Sequence, residues 1–184
     1  MVNTMGYLRK LNLGCGTDIR KDCINQDIMV LNGVDVISDL SKYPYPFKDN
    51  TFNEIFAISV LEHLPQFVET MSELHRICAP GGSVYIRVPF WNSEITYIDP
   101  THFRGFSERT FHFFDPRSFH YQERPYYSTA RFHIQSIEYR VKIPFQWRSI
   151  LIKSSWKKRL FSIVATFFCN VIWELQVELK AVKG

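Results

Sequence analysis

The chain has 184 residues, 46% of them apolar and 22% charged, which suits one globular domain with a sizeable core and excludes a disordered chain. The net charge of +4 is unevenly spread: residues 140–184 hold nine Lys/Arg against two Glu, a balance of +7 that leaves −3 for everything before them. That asymmetry argues against a nucleic-acid-binding body and puts a basic patch at the C-terminal end.

Cys15, Cys23, Cys78 and Cys169 form no CxxC pair and have no metal-ligand spacing, so reduced thiols in a cytoplasmic protein are expected, without a metal. The N-terminus shows no apolar signal-peptide core. The longest apolar stretch, Leu160 to Trp173, is 14 residues interrupted by Ser162, Thr166 and Asn170. It is too short to span a bilayer, so a soluble protein, at most peripheral to a membrane, is expected. Seventeen of the 29 aromatic residues fall between Tyr85 and Trp147.

Tyr7 to Leu13 reads as a first strand that runs into Gly14-Cys15-Gly16-Thr17. Glycine reaches positive φ and lets a ligand approach the backbone; taken alone, the turn fits a tight bend equally well. About ten residues separate Gly16 from a second strand, Cys23–Ile28, leaving no room for a full crossover helix. A third strand follows in Val34–Leu40, so strands two and three end near Asp27 and Asp39. Two prolines make Tyr43–Phe47 a surface loop. Phe52–Ser59 is a fourth strand, and Val60-Leu61-Glu62-His63-Leu64-Pro65 links it to a helix with Phe67, Met71, Leu74 and Cys78 at helical period. Ala79-Pro80-Gly81-Gly82 stops that helix, and Ser83–Pro89 is a fifth strand.

Farther on, Ser107 is placed to cap a helix over 108–115, with Phe106 and Phe111 as a hydrophobic staple. Phe132–Ile143 alternates as a sixth strand ending at Pro144, Ser155–Trp173 is an amphipathic helix, and Glu174–Val182 alternates as a last strand. The expected fold is α/β: a Rossmann-like, doubly wound, mostly parallel seven-stranded sheet with an antiparallel last strand and a shortened first crossover.

Ligands of such sheets sit across the carboxyl ends of the strands. A carboxylate at Asp27 is placed to accept bonds from vicinal ribose hydroxyls, and Asp39 to meet an adenine amine with Leu40 on the ring face. Both aspartates also fit the plainer role of strand-end turn residues. The third glycine of a dinucleotide fingerprint is replaced by Ile19, no helix start receives a pyrophosphate, and no P-loop occurs. An adenosine ligand without phosphates fits best.

Leu11–Thr17 (LNLGCGT), the acidic ends at Asp27 and Asp39, Pro46–Leu64 (PFKDNTFNEIFAISVLEHL) and the Ala79-Pro80-Gly81-Gly82 helix end together resemble class I S-adenosylmethionine-dependent methyltransferases. The resemblance, strongest to small enzymes of the methyltransferase-domain-11 type, covers about residues 8–90. It implies S-adenosyl-L-methionine as cofactor, with Gly14, Cys15, Gly16 and Thr17 near the methionine moiety, Asp27 and Ile28 at the ribose, and Asp39 and Leu40 at the adenine. Ser59, Leu61 and His63 would close over the sulfonium side. The family usually carries a full helix where this chain has its short first connection.

A single methyltransferase domain over 1–184 is therefore expected, with 1–90 holding the cofactor and 91–184 supplying the acceptor side. Methyl transfer needs a base only when the acceptor must lose a proton; His63 and His102 are the candidates. Packing at the link, for His63, and a loop held by an Asp99–Arg104 pair, for His102, are the competing readings. The aromatics of 90–127 suit an acceptor pocket or a core. The expected acceptor is a small molecule, a carbohydrate or a lipid, with nucleic acid disfavoured. Residues 148–173 suit either ordinary helix packing or a peripheral contact with an anionic membrane. The competing function is a non-catalytic cofactor-binding scaffold.

Overall fold

A computed structural model describes residues 9–142 and 149–183. The expected strand residues Tyr7, Leu8 and Ile143, the stop at Pro144, and Arg148 lie outside the described residues. The strands are β1 (Lys10–Leu13), β2 (Ile24–Asp27), β3 (Val36–Ile37), β4 (Phe52–Ile58), β5 (Cys78–Pro89), β6 (Phe132–Lys142), β7 (Ser149–Ile152) and β8 (Glu174–Ala181). They form one sheet in the order β3-β2-β1-β4-β5-β8-β6-β7. β1 to β5 pair in parallel; β8 enters antiparallel between β5 and β6.

The mostly parallel sheet and the antiparallel last strand are as expected, but the count is eight, not seven. The extra strand is β7, which returns along β6 from Tyr139↔Ile152 to Lys142↔Ser149. Its apolar run, Ile150-Leu151-Ile152, is too short to stand apart from a helix start by period alone.

Leu11, Leu13, Ile55, Ala57, Val84, Ile86, Val177 and Leu179 line one buried face of the sheet. Helix α1 (Phe67–Ile77) presents Phe67, Met71, Leu74 and Ile77 to the same core. Burying each such side chain contributes about 2 kcal/mol relative to exposure. After α1 the chain turns straight into β5, with Cys78 opposite Phe52 and Ser83 opposite Glu54. The Ala79–Gly82 segment bulges between these pairs, and a Cβ at Gly82 would stand 3.0 Å from the Asn53 carbonyl oxygen.

The short first connection, residues 14–23, contains no helix. Two asparagines, each buried, secure it. Asn12 Nδ2 donates to the Asp18 carbonyl at 2.6 Å and to Asn25 Oδ1 at 3.1 Å. Asn25 accepts from the Arg20 N–H and donates to the Arg20 carbonyl, both at 3.0 Å. The Arg20 guanidinium lies 4.5 Å from the centroid of the Phe56 ring. Polar side chains on the sheet thus satisfy loop backbone where a crossover helix would satisfy its own.

Three short helices follow: α2 (Ile95–Ile98), α3 (Glu108–His112) and α4 (Phe119–Glu123). Ser107 caps α3 through a reciprocal box with Thr110, and Phe106 stacks on Phe111 with centroids 6.0 Å apart. The last helix, α5 (Ser155–Phe167), ends six residues before the expected Trp173. There Asn170 takes φ +64 and donates its N–H to the Asn92 carbonyl. The Tyr43–Phe47 segment is no strand, as expected, yet it buries Tyr45, whose hydroxyl donates to the Leu40 carbonyl at 3.1 Å. No helix of the described residues is long and apolar enough to cross a membrane.

Candidate functional site

The apolar run of β1 ends in a turn with Gly14 at φ +58 and Gly16 at φ +50, values that L side chains reach only at a cost. Three hydrogen bonds fasten this turn to β2. The Gly14 N–H donates to Gln26 Oε1 at 3.1 Å, the Cys15 N–H to the Gln26 carbonyl at 2.9 Å, and the Gly16 N–H to Asp27 Oδ2 at 2.7 Å. Asp27 Oδ1 accepts from the Met29 N–H at 2.9 Å. Gln26, fully buried, reaches on to β3 and donates Nε2 to the Ser38 carbonyl at 2.7 Å. The carboxyl ends of β1, β2 and β3 are therefore one hydrogen-bonded unit.

Over that unit lies a cavity of about 570 Å³, within the usual range for small-molecule sites. Gly14, Asp27, Ile28, Asp39, Leu40, Ser59 and His63, all expected at the site, line it. Asp39 accepts from the Ser41 hydroxyl at 2.6 Å and its N–H at 2.9 Å, which hold its carboxyl below the ordinary carboxylate range. Ser59, at the end of β4, holds φ +57 without being glycine, a strained conformation of the kind that gathers at ligand sites.

Four expected cofactor contacts, Cys15, Gly16, Thr17 and Leu61, are not among the residues that line this cavity. Leu61 is fully buried in the core, and Cys15 is buried with its thiol pushed up by desolvation. Thr17 is exposed beyond the turn, and Gly16 is half-buried within it. A Cβ built on Gly16 meets nothing within 4 Å, so the turn leaves open space beside it. Ser38, Ser41, Val60, Leu64, Pro65 and Phe103 complete the cavity wall. Phe103 could not be read from local sequence because its place depends on the loop after β5 folding back, where the Phe103 N–H donates to the Glu62 carbonyl at 2.8 Å.

The residues present fit S-adenosylmethionine. Asp27 keeps free lone pairs beyond its two backbone donors, Gly16 leaves room for close approach, and the cavity joins the Asp27, Asp39 and Ser59 strand ends.

His63 and His102, although distant in sequence, meet edge to face with centroids 4.6 Å apart. The Thr101 hydroxyl donates to Asp99 Oδ1 at 2.6 Å, so His63 Nδ1, 2.8 Å from that hydroxyl oxygen, must donate to it. His102 Nδ1 lies 3.2 Å from the Thr96 carbonyl, which only accepts. In the neutral imidazoles the lone pair is therefore on Nε2. Burial, then the facing His102, hold the His63 pKa below its ordinary value. Beside them Glu62 is 2% exposed, burial pushes its carboxyl up to about 7, and its Oε2 has no hydrogen-bond partner. Among the described residues no ion pair joins Asp99 to Arg104; the Arg104 guanidinium instead donates to the Pro65 carbonyl at 2.7 Å.

The aromatic stretch divides. Phe90, Phe106, Phe111 and Phe114 are core, whereas Tyr97, Phe103, Phe119 and Tyr126 are exposed. A second cavity of about 290 Å³ lies among Phe67, Ser107, Phe113, Phe114 and Tyr127.

Comparison with known proteins points the same way. A family model for a methyltransferase domain matches residues 15–86, and no curated protein matches the chain. Among solved structures, a SAM-dependent methyltransferase from Archaeoglobus fulgidus is similar at 19% identity and a TM-score of 0.62, over 95% of this chain and 86% of its own. A putative methyltransferase from Bacillus halodurans aligns at 14% identity and TM-score 0.55, over 96% of this chain and 92% of its own. A SAM-dependent methyltransferase from Thermotoga maritima, a possible histamine N-methyltransferase, aligns at 12% identity and TM-score 0.58, over 95% and 82%.

Proposed function

We propose that this chain, which carries a class I S-adenosylmethionine-dependent methyltransferase domain, transfers the methyl group to a small-molecule, carbohydrate- or lipid-type acceptor. The observation that carries the reading is the cavity bounded by Gly14, Asp27, Asp39, Ser59 and His63, with paired imidazoles at its acceptor edge. When bound, the cofactor supplies a sulfonium methyl already activated for displacement.

The chain's own residues position and receive. The Asp27 carboxylate holds the ribose hydroxyls and Asp39 the adenine edge, with Leu40 against the ring. The strained Ser59 and the Val60–Leu64 turn fix the sulfonium side. An acceptor hydroxyl or amine that must lose a proton gives it to Nε2 of His63 or His102, each held in the right tautomer by Thr101 or the Thr96 carbonyl.

A peripheral membrane contact at α5 fits the same reading for a lipid-type acceptor. Of α5 only Ala165 is fully buried, with Phe161 partly so, while Trp156, Leu160, Ile163 and Phe167 stand at least half exposed beside Lys157 and Arg159.

Calorimetric titration with S-adenosylmethionine and S-adenosylhomocysteine, on wild type and Asp27→Ala, tests the cofactor assignment. Micromolar binding weakened about a hundredfold in the variant is expected, from the loss of charge-assisted bonds at about 1.5–3 kcal/mol each. Wild type that binds neither ligand overturns the reading. Labelled-methyl transfer to a panel of sugars, lipids and small amines then separates an enzyme from a scaffold.

A further inference from the structure

We propose that Glu62, His63 and His102 form a divalent-cation site at the acceptor edge of the cleft, suited to a borderline transition-metal ion such as Zn²⁺. Each of the three offers one donor atom, and the three atoms lie within 4.8 Å of one another. Two imidazoles and one carboxylate with remaining open positions are a donor set for Zn²⁺ or Fe²⁺ chemistry.

Two independent features support more than proximity. Both imidazoles spend Nδ1–H on an oxygen, His63 on Thr101, itself anchored by Asp99, and His102 on the Thr96 carbonyl. This is the outer-shell pattern that presents Nε2 to a metal and fixes the ring. The second feature is Glu62, whose Oε2 is buried without a partner in a residue only 2% exposed. A buried carboxylate oxygen with no donor is a costly arrangement that calls for a counter-charge. The Arg87 charge is felt at Glu62 but does not outweigh its burial: Arg87 makes no hydrogen bond to Glu62 Oε2, and its ion pair is with Glu174 at 3.5 Å. Ligands about 2.1 Å from a tetrahedral ion stand about 3.4 Å apart, so modest side-chain rotation closes the set.

His63 also lines the cofactor cavity, so an open coordination position there faces the methyl donor. On the methyltransferase reading, on which only this consequence rests, the acceptor is a hydroxyl compound. Its oxygen would bind the ion, which lowers the hydroxyl's pKa so that the proton passes to solvent water at the open cleft, with both Nε2 atoms serving as ligands instead of bases.

The test is titration of the full chain, stripped with a chelator, with Co²⁺ and Zn²⁺, by absorbance and calorimetry. S-adenosylhomocysteine is titrated into the same samples. One saturable equivalent is expected, with no thiolate charge-transfer band, weakened about tenfold or more by His102→Gln and by Glu62→Gln. Glu62→Gln removes a buried charge without removing bulk, so it serves where His102→Gln does not fold. No saturable binding, a thiolate band, or unchanged affinity in a folded variant overturns the proposal. Homocysteine-ligand binding without metal binding sinks the cation site and leaves the methyltransferase reading standing; the reverse result sinks only that reading.

Discussion

Gly14 donates its N–H to Gln26 Oε1 at 3.1 Å, and the other end of that same amide reaches β3 through the Ser38 carbonyl at 2.7 Å. One buried side chain thus sets the spacing of the strand ends that carry the cofactor cleft. Gln26→Leu keeps the bulk but orphans the Gly14 N–H and the Ser38 carbonyl. Unpaired buried groups cost about 1–3 kcal/mol each, so with two of them stability should fall by about 2–6 kcal/mol and cofactor affinity with it. Urea unfolding with and without S-adenosylhomocysteine checks both; a variant as stable as wild type would show the amide to be dispensable.

The two turn glycines should respond differently. A Cβ at Gly14 would lie 2.3 Å from Val60 Cγ2, whereas one at Gly16 meets nothing within 4 Å. Gly16→Ala carries only the left-handed backbone cost of about 1–2 kcal/mol. Gly14→Ala adds overpacking of about 1–3 kcal/mol, and Val60→Ala in the same chain should recover most of that addition. Double-mutant unfolding measures the coupling, and simple additivity would refute the contact.

Much of this frame is legible locally. The strand-end aspartates, the glycine turn and the α1 stripe are read from period and spacing because each is fixed within one or two elements. What escaped is long-range. The helix-free first connection works only because Asn12 and Asn25 fall in register on adjacent strands. The His63–His102 contact depends on the loop after β5 placing Thr101 at a residue 38 positions earlier. Glu62 sits inside a motif legible in sequence, but its burial and missing partner appear only once that loop closes over it.

Asp115 ties the α3–α4 loop to β6. Burial pushes its carboxyl upward, but donors from the Arg117 side chain, the Ile134 N–H and the Arg117 N–H outweigh this and hold it at about 2. The ordinary value is 3.8, so the unfolded chain binds the proton more readily. The carboxylate's stabilisation is therefore fully present above about pH 4 and is lost as pH falls toward 2. It amounts to about 2 kcal/mol. Asp115→Asn should lose that amount at pH 7 and flatten the stability profile between pH 4 and 2, measured by denaturant unfolding across pH. A profile as steep as wild type would assign the acid sensitivity elsewhere.

The exposed side of α5 gives the last prediction. Trp156, Phe167 and Phe168 are 66%, 78% and 65% exposed, and Lys157 and Arg159 flank the start of the helix, while Lys158 is spent on the Ile137 carbonyl at 2.8 Å. An amphipathic helix of this kind binds a surface through apolar burial plus attraction to anionic headgroups, each nearby cation adding about 1 kcal/mol. Purified protein should therefore co-sediment with vesicles rich in anionic lipid at low salt and release as salt rises. Phe167→Ser with Phe168→Ser should abolish the binding at every salt concentration, because apolar insertion is not screened. Lys157→Glu should weaken it mainly at low salt. Those variants should keep wild-type affinity for S-adenosylhomocysteine, since no α5 residue lines the cofactor cavity. Protein that ignores anionic vesicles at low salt would leave α5 without a membrane role.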